Sequence, residues 1–381
     1  MRVGKGKALL DLTVEEPSPM RVAIIGRFPP SQPGSARANA ALTKALEDLG
    51  HTGVGVFRLV KPGDHPATSH SVVMEVDPTS AISAHLAALR SSEYDAVIVH
   101  YESVFETEII HDLVFEITAP IVLVLHDLPD SLDDPFPRLL EMASTVIVPS
   151  QAASNTISRL RAGPRPTLIR PGSSWVPTHH REGPRRKILT WGFLEPGMGI
   201  ENVIRALPYL SDLEPPVEYD VIGPTHPDIS GTPDSSYREW LRSLASDLEV
   251  ADQVHFDPLL YPEPTLRARL ADADVIVVPY DTTDRTTSRL LTEALSLGRP
   301  VVSSRFPYAT ELLSEGAGTT VEPGDPDALA AAVRRFLVDN NRYRDAAVAA
   351  SQLSSHLNWN RVAFQFEGVI TAATASTREP A

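Results

Sequence analysis

The chain is 381 residues long, 42% hydrophobic and 22% charged, a globular composition with room for two or three domains. Its 34 Lys and Arg against 49 Asp and Glu leave a formal net charge of −15, which disfavours nucleic-acid backbones and anionic membrane surfaces as partners. It contains no cysteine, so disulfides, thiolate metal sites and a cysteine nucleophile are excluded, and a reducing, cytoplasmic compartment is expected.

Residues 1–19 carry only Ala8-Leu9-Leu10 as an apolar core before Asp11, Glu15 and Glu16 interrupt it, so no signal peptide is expected and the segment is taken as a flexible extension. Apolar runs elsewhere fall far short of the ~18 residues of a membrane span. From Arg21 onward, short Val- and Ile-rich runs alternate with helical patterns. Strands are expected at Arg21–Ile25, Val54–Leu59, Val72–Glu75, Ala96–His100, Ile121–His126, Thr145–Val148 and Thr167–Ile169. These runs lack period-two alternation, as suits parallel strands covered on both faces. Between the first two, Ala38, Ala41, Leu42, Leu46 and Leu49 share one helix face, and Gly50 ends it.

Near residue 180 the alternation breaks into a proline-rich, charged stretch containing Pro171, Pro177, His179-His180 and Arg185-Arg186. It then restarts, with strands at Lys187–Trp191, Val217–Ile222, Val254–Phe256, Val275–Pro279, Pro300–Ser303 and Thr319–Val321. Helical patterns cover Ile200–Leu210, Ser235–Leu248, Pro264–Ala271, Ser288–Leu297, Pro326–Val338 and Arg342–Leu353, and an amphipathic segment runs from Trp359 to Ile370. The reading is an α/β chain of two Rossmann-like domains facing across a cleft: residues 20–182, then 183–356, a crossover helix over 357–371 and a flexible tail over 372–381.

Ligands of such sheets sit beyond the carboxyl ends of the strands. Three loops there open onto helix starts, where free backbone N–H groups and the helix dipole can hold an anion. One loop holds Gly34-Ser35, after the first strand. The second is Gly192-Phe193-Leu194-Glu195-Pro196-Gly197-Met198-Gly199. The third is Thr286-Thr287-Ser288, with Glu293 about one and a half turns into its helix. Taken singly, each is also an ordinary capped helix or a glycine-rich connector.

Together these features resemble a retaining glycosyltransferase of family four with the GT-B architecture, over nearly all of Met20 to Ile370. The resemblance is carried by Met20 to Gly50-His51, Val122–Asp127, Val146–Ala153, Pro171-Gly172, the block Glu293-Ala294-Leu295-Ser296-Leu297-Gly298-Arg299-Pro300, and Asn358-Trp359. It implies a metal-independent hexosyltransferase. Sugar would move, with retention, from a nucleotide-diphosphate donor to the hydroxyl of a small-molecule or glycan acceptor, with no further cofactor. By the same resemblance, His126 and Arg289 are the catalytic residues and Glu293 binds the donor ribose. Ser288, Arg289 and Leu290 offer backbone N–H groups to the diphosphate, Gly34 and Ser35 approach from the other domain, and the base lies near Phe256-Asp257-Pro258. The terminal helix would cross back to the first domain.

Four positions depart from the family pattern, one of them Arg289, where a small residue often follows Ser288. Phe193 stands where an arginine usually follows Gly192, Met198 where a lysine usually precedes Gly199, and Arg285 where a glutamate precedes Glu293 by eight positions. A missing phosphate cation in a partly desolvated site costs ~2–4 kcal/mol of transition-state stabilisation. Two readings stay open: Arg285 and Arg289 return the charge from the other side of the pocket, or the chain is a catalytically silent partner protein. A pseudo-glycosyltransferase or a nucleotide-sugar epimerase is a further alternative. Base, sugar, acceptor and oligomeric state, a homodimer included, stay open. Asp272-Ala273-Asp274 is taken as helix-to-strand turn chemistry rather than a metal pair, and His179-His180 as a solvated linker.

Overall fold

The computed structural model describes residues 19–31, 34–50, 53–61, 63–102, 108–129, 131–133, 135–178, 183–225 and 235–376. Residues 1–18 of the extension expected over 1–19, the linker pair His179-His180 and residues 377–381 lie outside them.

The first domain runs β1 (Val22–Gly26), α1 (Gly34–Asp48), β2 (Gly55–Leu59), β3 (Val72–Val76), α2 (Ala81–Ser91), β4 (Ala96–Tyr101), α3 (Glu108–Glu116), β5 (Ile121–Leu125), α4 (Phe136–Met142), β6 (Thr145–Val148), α5 (Gln151–Leu160) and β7 (Thr167–Leu168). Its strands form one parallel sheet in the order β3-β2-β1-β4-β5-β6-β7. Continuous apolar strands are required because both faces are covered. Within β1, Ala23 and Ile25 enter one buried cluster while Val22 and Ile24 enter the cluster on the opposite face.

The second domain repeats the plan: β8 (Lys187–Trp191), α6 (Ile200–Ala206), β9 (Glu218–Ile222), α7 (Ser235–Asp247), β10 (Val254–Asp257), α8 (Glu263–Ala271), β11 (Val275–Val278), α9 (Arg289–Ser296), β12 (Val301–Ser304), α10 (Pro307–Leu313), β13 (Gly318–Val321), α11 (Pro326–Val338) and α12 (Asn340–Leu357). The sheet order is β10-β9-β8-β11-β12-β13, again parallel. The architecture is thus two parallel-sheet Rossmann-like domains, the GT-B arrangement. Among the described residues no helix is long and apolar enough to cross a membrane.

Two boundaries differ from the sequence expectation. Trp175, placed in the linker end of the first domain, is 4% exposed in the apolar core of the second, its ring 6.1 Å from that of Trp191. Packing of the second domain therefore begins before residue 183, because a tryptophan inside a proline-rich stretch still has a large apolar surface to bury. The terminal helix, α13 (Trp359–Ser376), runs past residue 371 into the stretch expected to be a tail. There Ala373 and Thr374 are buried, with the Thr374 hydroxyl 3.9 Å from the Met20 sulfur. Small residues suit that close approach, although as bare composition they look like a solvated end.

The crossover itself is fixed by backbone. Ser173 N–H donates to the Leu357 carbonyl at 2.7 Å, and Gly172 has no room for a side chain under the Trp359 indole. Helix α13 then lays Val362, Ala363, Phe366 and Ile370 into the same apolar cluster as β1 and α1. A second tie comes from Glu311 on α10, whose carboxylate accepts from Gln151 N–H at 2.8 Å and from Arg170 Nη2 at 3.1 Å. Substituting Phe366→Ala empties a buried aromatic site and is expected to cost about 3 kcal/mol. A urea titration read by tryptophan fluorescence should show the midpoint falling, with the transition of the first domain affected most.

Candidate functional site

Each sheet reverses its winding where its first strand meets its fourth, β1 beside β4 and β8 beside β11, and the crevice at such a point is where ligands enter doubly wound sheets. The two reversal points face each other. Between them lies a cleft of about 500 Å³, walled on one side by Pro29, Pro30, Ser31 and Arg37 and on the other by the second domain's loops.

The second-domain floor is made of backbone. Gly192 and Gly223 have φ of 129° and 136°, a region that L side chains avoid, and a Cβ on Gly223 would run into the Gly192 carbonyl. Arg238 Nη2 donates to the Gly223 carbonyl at 2.9 Å and holds this crossing in place. Past Ile222 and Pro224, Leu259, Leu260, Tyr261 and Leu266 give one end of the cleft an apolar wall.

The other end is polar and is built by α9. Ser288 caps the helix, its Oγ accepting from Leu291 N–H at 3.2 Å. The first-turn amides of α9 have no intrahelical acceptor, and together with the helix dipole they make this end of the wall favourable to an anion. One turn further, Glu293 accepts from Arg289 Nε at 2.6 Å. Burial pushes the Glu293 carboxyl above its ordinary range, while Arg289 and, from across the cleft, Arg37 oppose that rise. Arg285 stacks on the Tyr280 ring at 4.1 Å and donates from Nε to Thr282 Oγ1 at 3.2 Å. The lining therefore holds three arginines against one carboxylate, a positive surplus inside a chain of net charge −15.

The first-domain wall hangs on Arg58, which no sequence pattern singled out. Fully buried at the end of β2, it donates to the Phe28 carbonyl at 3.0 Å, the His65 carbonyl at 3.0 Å, Ser31 Oγ at 2.8 Å and Glu75 Oε1 at 2.6 Å. Those bonds fix the Phe28–Ser31 turn that faces the cleft. Arg37 was missed as well. Its signal was an arginine in the first turn of a helix, where the dipole disfavours positive charge.

Of the residues expected at the site, Gly192, Phe193, Arg285, Ser288, Arg289, Leu290 and Glu293 line the cleft. Gly34 and Ser35 open α1 outside that lining, and Ser35 Oγ is buried with no hydrogen-bond partner among the described residues. Met198, expected on the donor side, is instead 5% exposed in the apolar core, because a thioether in this turn packs beneath Gly192 beside Leu290. Pro258 faces a neighbouring cavity with Phe256 and Asp257, joined to the cleft through Ile222 and Leu259. His126 ends β5 outside the lining, where its Nε2 shares a 2.8 Å hydrogen bond with His100 Nδ1 and the rings stack at 5.0 Å. Asp274 spends its carboxylate on the Arg186 and Lys187 amides, at 2.8 and 2.9 Å, and Asp272 pairs with Lys187.

Burial holds both histidines below their ordinary value of 6.5, with the neighbouring ring adding to this at His100, while Glu102 and Asp127 counter it at His126. A base with a depressed folded pKa stabilises the fold above the unfolded value and loses that contribution as pH falls through the folded one. Stability should therefore decline as pH drops below about 6.5. Urea midpoints measured from pH 5 to 8 should show a shallower slope in His100→Asn. For the wall, Arg58→Met strands several buried acceptors and is expected to cost about 3 kcal/mol, readable in the same titration at pH 7.

With this geometry in view, comparison with known proteins is informative. Residues 175–352 match the family described as glycosyl transferases group 1. The GDP-mannose-dependent alpha-(1-6)-phosphatidylinositol monomannoside mannosyltransferase of Mycolicibacterium smegmatis is 34% identical over 173 residues, 44% of this chain and 42% of that protein. The D-inositol 3-phosphate glycosyltransferase of Xylanimonas cellulosilytica is 28% identical over 326 residues, 84% of this chain and 64% of that one. The matched segments thus span less than two thirds of these relatives' own length. In fold, the chain is similar to sucrose-phosphate synthase from Thermosynechococcus elongatus, with a TM-score of 0.74 at 18% identity, covering 93% of this chain and 100% of that one. It is likewise similar to Anabaena HepE in complex with UDP-glucose, with a TM-score of 0.69 at 19% identity and the same coverage.

Proposed function

We propose that the whole chain is a glycosyltransferase that draws its sugar from a nucleotide-diphosphate donor bound in the cleft, a reading supported by the match of residues 175–352 to the glycosyl transferases group 1. The observation that carries the proposal is the cleft's division into an apolar end and a cationic end at the start of α9. A nucleoside and a diphosphate joined in one molecule fit that division. A relative named for GDP-mannose and a fold neighbour bound to UDP-glucose support the donor class and leave the base open.

In this reading the nucleoside lies between the Gly223-Pro224 turn and the Leu259–Tyr261 wall, and Glu293 accepts hydrogen bonds from the ribose diol. Arg285, Arg289 and the first amides of α9 stabilise charge on the departing diphosphate, the largest contribution a preorganised polar wall makes. Arg289 reaches it by exchanging its contact with Glu293. The acceptor is a small molecule or a glycan entering from the first-domain side, where His126 contacts the transferred sugar. Transfer proceeds with retention, without a resident metal and in the cytoplasm. The charge surplus answers the loss of an arginine at Phe193, and no observation favours the silent-partner or epimerase alternatives.

A thermal-shift panel of UDP, GDP, TDP and ADP with their sugar conjugates tests the donor site. A ligand at a hundred times its dissociation constant adds roughly 2.7 kcal/mol, worth a few degrees of melting temperature. One base should shift the native chain clearly and fail to shift Glu293→Ala. His126→Ala should retain the shift and lose turnover. The reading is wrong if no nucleotide shifts the native chain. An inverted anomer by NMR of the product would remove the claim of retention alone.

A further inference from the structure

We propose that Arg37, carried by the first domain, completes the grip on the donor diphosphate and replaces the charge that Phe193 and Met198 leave out of the second domain. The inference rests on the donor-cleft reading above and goes beyond it by assigning a residue from the opposite side of the cleft.

Three observations converge on Arg37. It lines the cleft from α1, facing the α9 wall, and its charge acts on Glu293 across the gap. Among the described residues it makes no hydrogen bond or ion pair, whereas its first-domain neighbours are engaged: Arg27 with Glu102 at 3.9 Å, Arg58 with Glu75, and Arg170 with Glu311. It also occupies the first turn of a fifteen-residue helix, where the dipole makes a cation unfavourable. A charge placed against the dipole and given no partner among the described residues is available to a ligand.

The charges also balance. Arg289 is paired with Glu293, which leaves Arg285 and Arg37 as the two uncompensated cations of the lining, one on each side. The diphosphate diester of a sugar donor carries two negative charges, so one guanidinium from each domain neutralises it in the bound donor, and Arg289 leaves Glu293 for the further charge that develops as the diphosphate departs. The second domain has no further cation to offer in this loop, since Phe193 is apolar and Met198 is buried in the core. Anion recognition is therefore divided between the domains, and the first domain reads the phosphates as well as the acceptor.

The test compares the full chain with Arg37→Met and Arg37→Lys. Melting temperatures come first: Arg37→Lys should match the native chain and Arg37→Met should melt no lower, because Arg37 has no partner to lose among the described residues and its charge opposes the helix dipole. Affinity is then measured for the diphosphate of the selected base by calorimetry and for its parent nucleoside by ligand-observed NMR. Losing one charge-assisted contact should weaken diphosphate binding by roughly tenfold to a hundredfold in Arg37→Met, with partial recovery in Arg37→Lys. Nucleoside affinity should stay unchanged. Diphosphate affinity within twofold of native, or an equal loss for nucleoside and diphosphate, overturns the assignment of Arg37 and leaves the donor cleft standing. A native chain that binds neither ligand overturns both.

Discussion

The cleft depends on a crossing of two turns that leaves no space for side chains. Gly192 follows β8 and Gly223 follows β9, and the carbonyl of the first occupies the position a Cβ on the second would need. Both have positive φ, so glycine is required by conformation as well as by room. With the edges of the two strands drawn together, the floor of the cleft is backbone, and the walls can rise on either side of it. The apolar wall comes from the loop after β10 and from α8. The polar wall comes from the loop after β11, ending in the Ser288 cap.

Charge then decides what the cleft can hold. The chain as a whole is acidic, yet three arginines and one glutamate face the cleft. Low-dielectric walls focus such a local surplus, so an anion is drawn to this place and repelled from most of the surface. The arginines are held in different ways. Arg285 lies over Tyr280, Arg289 is bonded to Glu293, and Arg37 stands on the first domain without a hydrogen bond or ion pair among the described residues. A loop that has lost its usual cations is thus compensated by neighbours on other elements, and the cost of rearrangement falls on the Arg289 contact with Glu293.

The central strands were legible because burial on both faces leaves an unbroken apolar run, as in β1, β4, β5 and β11, and every strand of both sheets lies within a residue or two of its expected place, although the edge strands β3, β10 and β13 are only partly buried. The loop–helix junction at Ser288 was legible for a related reason, since a cap needs a hydroxyl at a fixed place. Helices α2 to α5 and α10 were less visible. Proline in the first turn shortens the readable face of α4 and α10, which have seven residues each. Met198 illustrates a different limit: a position in a glycine-rich loop does not say whether its side chain turns outward or down into the core. Arg58 was hidden altogether, because a buried arginine inside a strand acquires its meaning only from the carbonyls of chain segments far away in sequence. Arg37 and His126 show the same dependence on long-range placement, one turning out to face the cleft and the other to end beside His100.

A crystal structure of the full chain with the nucleoside diphosphate that it binds most tightly tests the account most directly. The account predicts the phosphates between Arg37 and the first turn of α9, with the base between the Gly223-Pro224 turn and the Leu259–Tyr261 wall. Phosphates held without Arg37, or a nucleotide lodged outside this cleft, would contradict it.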